Sequence, residues 1–211
     1  MAEIIPALLG ADQISLGHQA SQVADLVNYF HLDVADGEFA PRSPGGQLQP
    51  ENLDWLPESA KVEVHLMVAE PEAVIARWLT LADRIIVHQE ATGDWENIFE
   101  LGRRSAVKIG LAVLLDTPLS QPPAYYEAFD LIQLMGIKTI GYQGQPFETK
   151  VIERVKSLRS QVLNVKISVD GGVNLENVSA LIRAGADQLV VGSGLWQATD
   201  PRQTLAKLQT L

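Results

Sequence analysis

The stretch Tyr29-Phe30-His31-Leu32-Asp33-Val34-Ala35-Asp36-Gly37 decides how the rest of this chain is read. Phe30, Leu32 and Val34 favour a strand and Asp36-Gly37 signals a turn, so the stretch reads as a buried strand ending in a turn. Side chains alternate along a strand, which puts His31 and Asp33 on the same side. A histidine and a carboxylate together at a strand end can bind a divalent metal or move a proton. They can equally form a hydrogen-bonded pair that caps the strand, and this stretch alone leaves both readings open.

Working outward, further apolar runs of strand character lie at 3–9, 61–68, 84–88, 108–115, 131–137, 164–170 and 188–191. Between and after them the spacing predicts helices over 15–28, 50–58, 70–81, 94–104, 117–126, 146–159, 174–184 and 201–211. Asp94 is a candidate N-cap, and the three prolines in 117–126 keep that helix short. Residues 38–49, with Pro41, Pro44, Gly45 and Gly46, read as a long loop. Strand followed by helix repeats without a break in composition. Runs such as Ile85-Ile86-Val87 and Leu189-Val190-Val191 suit a parallel sheet covered on both faces. The predicted fold is therefore α/β, a single (β/α)8 TIM barrel spanning residues 1–211, with an open doubly wound sheet as the alternative.

Composition narrows the function. A net charge of −10 argues against non-specific nucleic-acid binding, while a phosphate can still be held by backbone N–H groups. The absence of cysteine excludes disulfides and any Cys-ligated zinc or iron–sulfur centre. No apolar run is long enough to span a bilayer, and the first residues lack a basic signal-peptide region, so a cytoplasmic protein is expected.

In a barrel, function sits at the C-terminal ends of the strands. His31 and Asp33 end the second strand, His65 lies within the third, and Asp170 ends the seventh. Each has an ordinary alternative as a packed strand histidine or a capping aspartate. Together at one barrel mouth they form a two-nitrogen, two-oxygen donor set that suits Zn, Fe(II), Mn or Co better than calcium. Two acids at one metal point to proton transfer beside a carbonyl, with Asp33 and Asp170 on opposite faces of the substrate. Glycines supply a third element. Gly171-Gly172 follows the seventh strand, and Gly192-Ser193-Gly194 follows the eighth at a short helical turn around Leu195 and Trp196. This is where the fold places its recurrent phosphate site. Gly141-Tyr142-Gln143-Gly144-Gln145, after the sixth strand, could add donors or a lid.

With these motifs in order, the sequence resembles the ribulose-phosphate 3-epimerase family over nearly its whole length. The matching segments are His31 to Gly37, Val64-His65-Leu66-Met67-Val68, Val87-His88-Gln89-Glu90-Ala91, Gly110-Leu111, Thr117-Pro118-Leu119, Val169 to Asn174, and Gly185-Ala186-Asp187 running to Gly192-Ser193. The resemblance implies a barrel of the ribulose-phosphate-binding type with one divalent metal ion. It implies interconversion of D-ribulose 5-phosphate and D-xylulose 5-phosphate by inversion at C3. It makes His31, Asp33, His65 and Asp170 the metal ligands, with Asp33 and Asp170 also the acid–base pair. Gly144, Gly171, Gly172, Gly192 and Ser193 are implied to hold the phosphate, and Met67 and Met135 to line the reacting centre.

The departures fall on substrate-facing segments. Pro6-Ala7-Leu8-Leu9-Gly10 stands where the family has Pro-Ser-Ile-Leu-Ser, so Ala7 lacks the serine hydroxyl. Ala35 replaces a methionine, Leu114-Leu115 replaces Asn-Pro, and 138–145 replaces the Asn-Pro-Gly-Phe-Gly-Gly-Gln lid with a segment one residue longer. Two alternatives therefore stay open: the same chemistry on another phosphorylated ketose such as D-allulose 6-phosphate, or a non-catalytic barrel that binds a sugar phosphate. A decarboxylase or lyase of the barrel superfamily is weaker, because its Asp-x-Lys-x-x-Asp pattern is missing. The expected partner is a small sugar phosphate, with no nucleic acid or membrane, and a homo-oligomer is left open. Among the remaining polar residues, Asp36 is expected to brace its turn, His18 to sit on the surface, and His88 either to face the mouth or to be packed. Glu63 shares a face with His65 and needs a cationic partner, for which Lys108 and Lys166 are candidates. Trp55, Trp78, Trp95 and Trp196 read as packing residues on helices.

Overall fold

The computed structural model describes residues 2–9, 12–41, 53–142 and 144–211. Its centre is an eight-stranded parallel sheet: β1 (Glu3–Pro6), β2 (Tyr29–Ala35), β3 (Lys61–Met67), β4 (Arg84–His88), β5 (Lys108–Val113), β6 (Leu131–Met135), β7 (Lys166–Asp170) and β8 (Gln188–Val191). From β2 to β8 each strand pairs with the next in sequence, and β1 pairs with β8. The ring closes where Ala7 meets His31 and the Leu8 N–H donates to the His31 carbonyl at 3.0 Å. The structure is thus the expected barrel and not the open sheet.

The helices are α1 (Gln13–Val23), α2 (Pro71–Ile75), α3 (Trp95–Ser105), α4 (Pro123–Tyr126), α5 (Lys150–Gln161), α6 (Val178–Ala184), α7 (Ser193–Trp196) and α8 (Pro201–Gln209). Asp94 caps α3 as expected, accepting from the Asn97 N–H. Several helices are shorter than their apolar spacing predicts. After α2 the chain continues in turns, with Arg77 N–H donating to the Val74 carbonyl and Leu81 N–H to that of Trp78. Asn174 and Asn177 bond to each other across the turn that precedes α6, which delays its start. The helix expected over 50–58 does not form where the chain is described. Residues 53–60 make two successive turns, Leu56 N–H to Leu53 O and Ala60 N–H to Pro57 O, and Pro57 has no N–H with which to continue a helical ladder. Trp55 and Trp78 accordingly lie in turns, not helices. The loop expected over 38–49 lies largely outside the described residues, as do Gly10 and Gln143.

Both faces of the sheet are buried, for different purposes. The outer face carries Leu32, Val64, Ile85, Val87, Leu111, Ile132, Val169 and Leu189, which pack under helix residues such as Ile98, Leu158, Leu181 and Leu205. This ring is the main hydrophobic core. Burying each such side chain contributes roughly 1.5–3 kcal/mol before chain entropy is counted. The inner face holds apolar patches (Ile5 with Val190, Ile86 with Ala112 and Leu131), but between them it carries His31, Glu63, His65, Arg84, His88, Gln133, Ser168 and Gln188, all buried. Buried polar groups at this density need partners inside the barrel, and those partners form the candidate site. Among the described residues no helix is long and apolar enough to cross a membrane.

Candidate metal centre and substrate cavity

Strand register brings the four predicted ligands together. Asp33 is level with His65 across β2 and β3, and Met135 is level with Asp170 across β6 and β7. His31 Nε2 lies 3.3 Å from Asp33 Oδ1 and 3.9 Å from Asp170 Oδ2. His65 Nδ1 lies 3.0 Å from Asp33 Oδ1 and 3.5 Å from Asp170 Oδ2. One donor atom from each of the four lies within 4.8 Å of the others. Tetrahedral ligands at about 2.1 Å from a metal stand about 3.4 Å apart, so these separations, and the nitrogen and oxygen donors, fit a single divalent ion.

The charges are arranged unequally. Burial works against charge on Asp33, but hydrogen bonds with His31 and His65, reinforced by their charge, hold it far below the usual carboxylate range. Burial raises Asp170 to about 6; His31 opposes the rise and the Asp33 charge adds to it. Burial also works against charge on His31, but Asp33 and Glu63 outweigh it and raise its pKa well above the ordinary imidazole value.

Both histidines are oriented from behind. His31 Nδ1 is 2.7 Å from Glu63 Oε1. A carboxylate can only accept, so Nδ1 carries a proton, and Nε2 is turned toward the aspartates. His65 Nε2 is 2.8 Å from His88 Nε2, and His88 Nδ1 is 3.3 Å from Glu90 Oε2. Burial pushes His88 down to about 4, against the pull of Glu90, so its ring is neutral. With His88 Nδ1–H donating to Glu90, its Nε2 accepts from His65 Nε2–H, and His65 presents Nδ1 to the acids. His88 is therefore a hydrogen-bonded histidine behind the site. His18 is exposed on α1, as expected.

The cation facing Glu63 is neither Lys108 nor Lys166. Both lysines are exposed at the starts of their strands. The partner is Arg84, whose Nη1 donates to Glu63 Oε2 at 2.6 Å. Alternation within β4 points Arg84 inward with Ile86 and His88, a signal already present in the sequence. Gln133 is a second such case. It is the polar residue in the apolar run of β6, and its Nε2 donates to Asp170 Oδ2 at 3.3 Å. Asp36 braces its turn as expected, accepting from the Glu38, Phe39 and Ala69 N–H groups.

Above the aspartates lies a cavity. Its lining includes Asp33, Asp170, Met67 and Met135, together with Gly144, Gly171, Gly172, Gly192 and Ser193. All the predicted phosphate and substrate residues thus border one space, with His31 and His65 buried beneath it. Met67, Met135, Ile137 and Ile140 make one wall apolar, packed with Ala35 and Ala40 in one cluster. Ser193 opens α7, whose first N–H groups have no intrahelical partners and face an incoming anion favourably. Gly172 has φ +72°, and a Cβ there would stand 2.8 Å from Phe147 Cα, so this loop needs glycine. Ala7, Tyr142 and Gln145 complete the rim on the side where the sequence departs most.

A family model described as the ribulose-phosphate 3-epimerase family matches residues 3–196. The chain belongs to this family. A ribulose-phosphate 3-epimerase of Bacillus subtilis is 30% identical over 219 residues, covering 99% of each chain. The Escherichia coli K12 protein of the same name is 27% identical over 213 residues, covering 98% of this chain and 94% of its own. Epimerases are isomerases, so membership agrees with the expected enzyme class. Solved structures extend the likeness of fold alone. A 3-hexulose-6-phosphate synthase matches with TM-score 0.69 at 16% identity over 99% of this chain and 98% of its own. An orotidine 5'-phosphate decarboxylase from Pyrococcus horikoshii matches with TM-score 0.66 at 17% identity, covering 97% and 96%.

Proposed function

We propose that this family member, a single barrel domain over residues 1–211, inverts C3 of D-ribulose 5-phosphate to give D-xylulose 5-phosphate, and the reverse. The observation that carries this is the pair Asp33 and Asp170: two carboxylates from β2 and β7 that share two histidines yet have proton affinities shifted in opposite directions. Epimerisation needs one base that removes the C3 proton and one acid that returns a proton to the other face. Asp33, held ionised, serves as the first, and Asp170, which holds a proton up to about pH 6, as the second. The roles exchange in the reverse direction. A Zn, Fe(II), Mn or Co ion held by His31, Asp33, His65 and Asp170 would polarise the ketone and offset the negative charge that develops on the substrate oxygens. Gly144, Gly171, Gly172, Gly192 and Ser193 hold the phosphate through backbone N–H groups and the hydroxyl. The methionine wall keeps water from the carbanion.

A second reading keeps the chemistry and changes the sugar. Ala7 lines the cavity without a hydroxyl, and Tyr142 and Gln145 occupy the rim. Comparing kcat/KM for D-ribulose 5-phosphate and D-allulose 6-phosphate decides between them.

The test of the main reading is incubation of metal-loaded protein with D-ribulose 5-phosphate in heavy water, followed by NMR at C3. Wild type is expected to exchange the proton and form the epimer. Asp33→Asn and Asp170→Asn are each expected to lose about 10²–10⁴-fold in rate. Full activity in both variants overturns the two-aspartate mechanism.

A further inference from the structure

Below the aspartates, the barrel interior holds a polar cluster that the proposed chemistry does not use. Glu63 and Gln188 are fully buried and Arg84 is 2% exposed. Arg84 Nη1 donates to Glu63 Oε2 at 2.6 Å and to Gln188 Oε1 at 3.1 Å. Gln188 Nε2 lies 3.0 Å from each Glu63 oxygen. The remaining contact of Glu63 Oε1 is His31 Nδ1 at 2.7 Å. The Tyr29 ring lies under the Arg84 guanidinium, 5.3 Å from centroid to Cζ, and limits where it can move.

We propose that Glu63, clamped by Arg84 and Gln188, is a positioning residue that keeps the His31 proton on Nδ1 and so delivers the Nε2 lone pair to the metal. Three observations favour this over a stabilising ion pair that happens to lie nearby. A buried ion pair is a poor way to stabilise a core, since an apolar pair of similar volume does as well or better. The cluster runs from Arg84 on β4 through Glu63 to His31, so it ends on a metal-site residue. And Arg84 on Oε2, with Gln188 Nε2 on both oxygens, holds the carboxylate in the orientation in which Oε1 meets the His31 ring. The inference rests on the metal reading of the site.

The discriminating variant is Glu63→Gln. Arg84 and the Gln188 amide are donors and claim the new carbonyl oxygen. The amide NH2 of residue 63 is then left facing His31 Nδ1, which must accept, and the ring proton moves to Nε2. Metal affinity would be measured by competition of full-length protein with a chromophoric chelator for Zn(II), and Co(II) absorption would report the ligand set. Affinity is expected to fall about 10–100-fold in Glu63→Gln, as for loss of other groups that orient metal-bound histidines. Independently of whether Glu63→Gln folds, the tautomer would also be read directly by ¹⁵N NMR of histidine-labelled wild type with Zn(II). An Nδ1–H signal for His31 supports the proposal. A signal showing Nε2–H, or equal Zn(II) affinity in the folded variant and wild type, overturns it. Wild type that binds no Zn(II) or Co(II) overturns the metal reading, and the role of Glu63 with it.

Discussion

The buried Arg84–Glu63 pair makes a quantitative prediction about stability that is independent of any metal. Arg84→Met removes the guanidinium and leaves the Glu63 carboxylate fully buried, with His31 and Gln188 as its remaining donors. Removing one partner of a buried pair costs about 3–5 kcal/mol, because the other charge is stranded. The two surviving donors place this case at the lower end, about 3 kcal/mol. For a domain of 211 residues that corresponds to a fall in Tm of about 6–12 °C. The double variant Glu63→Gln with Arg84→Met removes both charges, while residue 63 keeps a carbonyl and an amide for His31 and Gln188. It should recover most of the loss, giving a coupling energy of the same order. Urea unfolding of the metal-free single and double variants, followed by circular dichroism, measures this. The reasoning is refuted if Arg84→Met costs less than about 1 kcal/mol, or if the double variant is no more stable than Arg84→Met alone.

Two further outcomes follow from the site itself. Gly172→Ala forces a side chain onto φ +72°, with its Cβ 2.8 Å from Phe147 Cα, so the loop must shift; KM for the phosphorylated substrate should rise about tenfold with a smaller change in kcat, and steady-state kinetics with an unchanged KM would count against a phosphate role for this loop. The Asp170 pKa of about 6 lies above its value of 3.8 in an unfolded chain, so its contribution to stability is full below the lower value and is lost as pH rises through the higher one. Metal-free wild type should therefore lose about 1 kcal/mol relative to Asp170→Asn between pH 5 and pH 7, and urea titrations showing no such difference would remove the assigned shift.

What could be read from the sequence follows from what a period of two can reveal. His31 and Asp33, and His65 with Glu63, were placed on the inner face because alternation fixes which side each residue takes. Asp170 and the glycines after it were placed because a barrel puts strand ends at one mouth. Alternation does not say which residue on the next strand is level, since that depends on the stagger of the closed sheet. This is why Lys108 and Lys166 stood as candidates for Glu63. Arg84 is level with Glu63 and reaches it, whereas the lysines are exposed at their strand starts. The same limit hid Gln133 beneath Asp170. Helix ends were overextended where apolar spacing continued past the helix, as in the turns after α2. There the side chains keep a helical rhythm while the backbone bonds shorten to i→i+3.

The shifted groups of the proposed site are all deeply buried, and charge balance inside the barrel acts on top of that burial. Asp33, Glu63 and Asp170 bring three carboxylates into a space that holds one permanent cation, Arg84. Carboxylates this close cannot all be ionised without compensation. Protonation supplies that compensation: His31 is pushed toward its charged form, and Asp170 is raised to about 6. A divalent cation held by the same donor atoms would compete with protons for these lone pairs. On this account Asp33 stays ionised in either case because it faces both histidines. Asp170 is the more responsive carboxylate because it stands farther from each of them, with Gln133 donating to it. The unequal surroundings on which the proposed roles of the two aspartates rest follow from the lateral register of β2 against β3 and of β6 against β7.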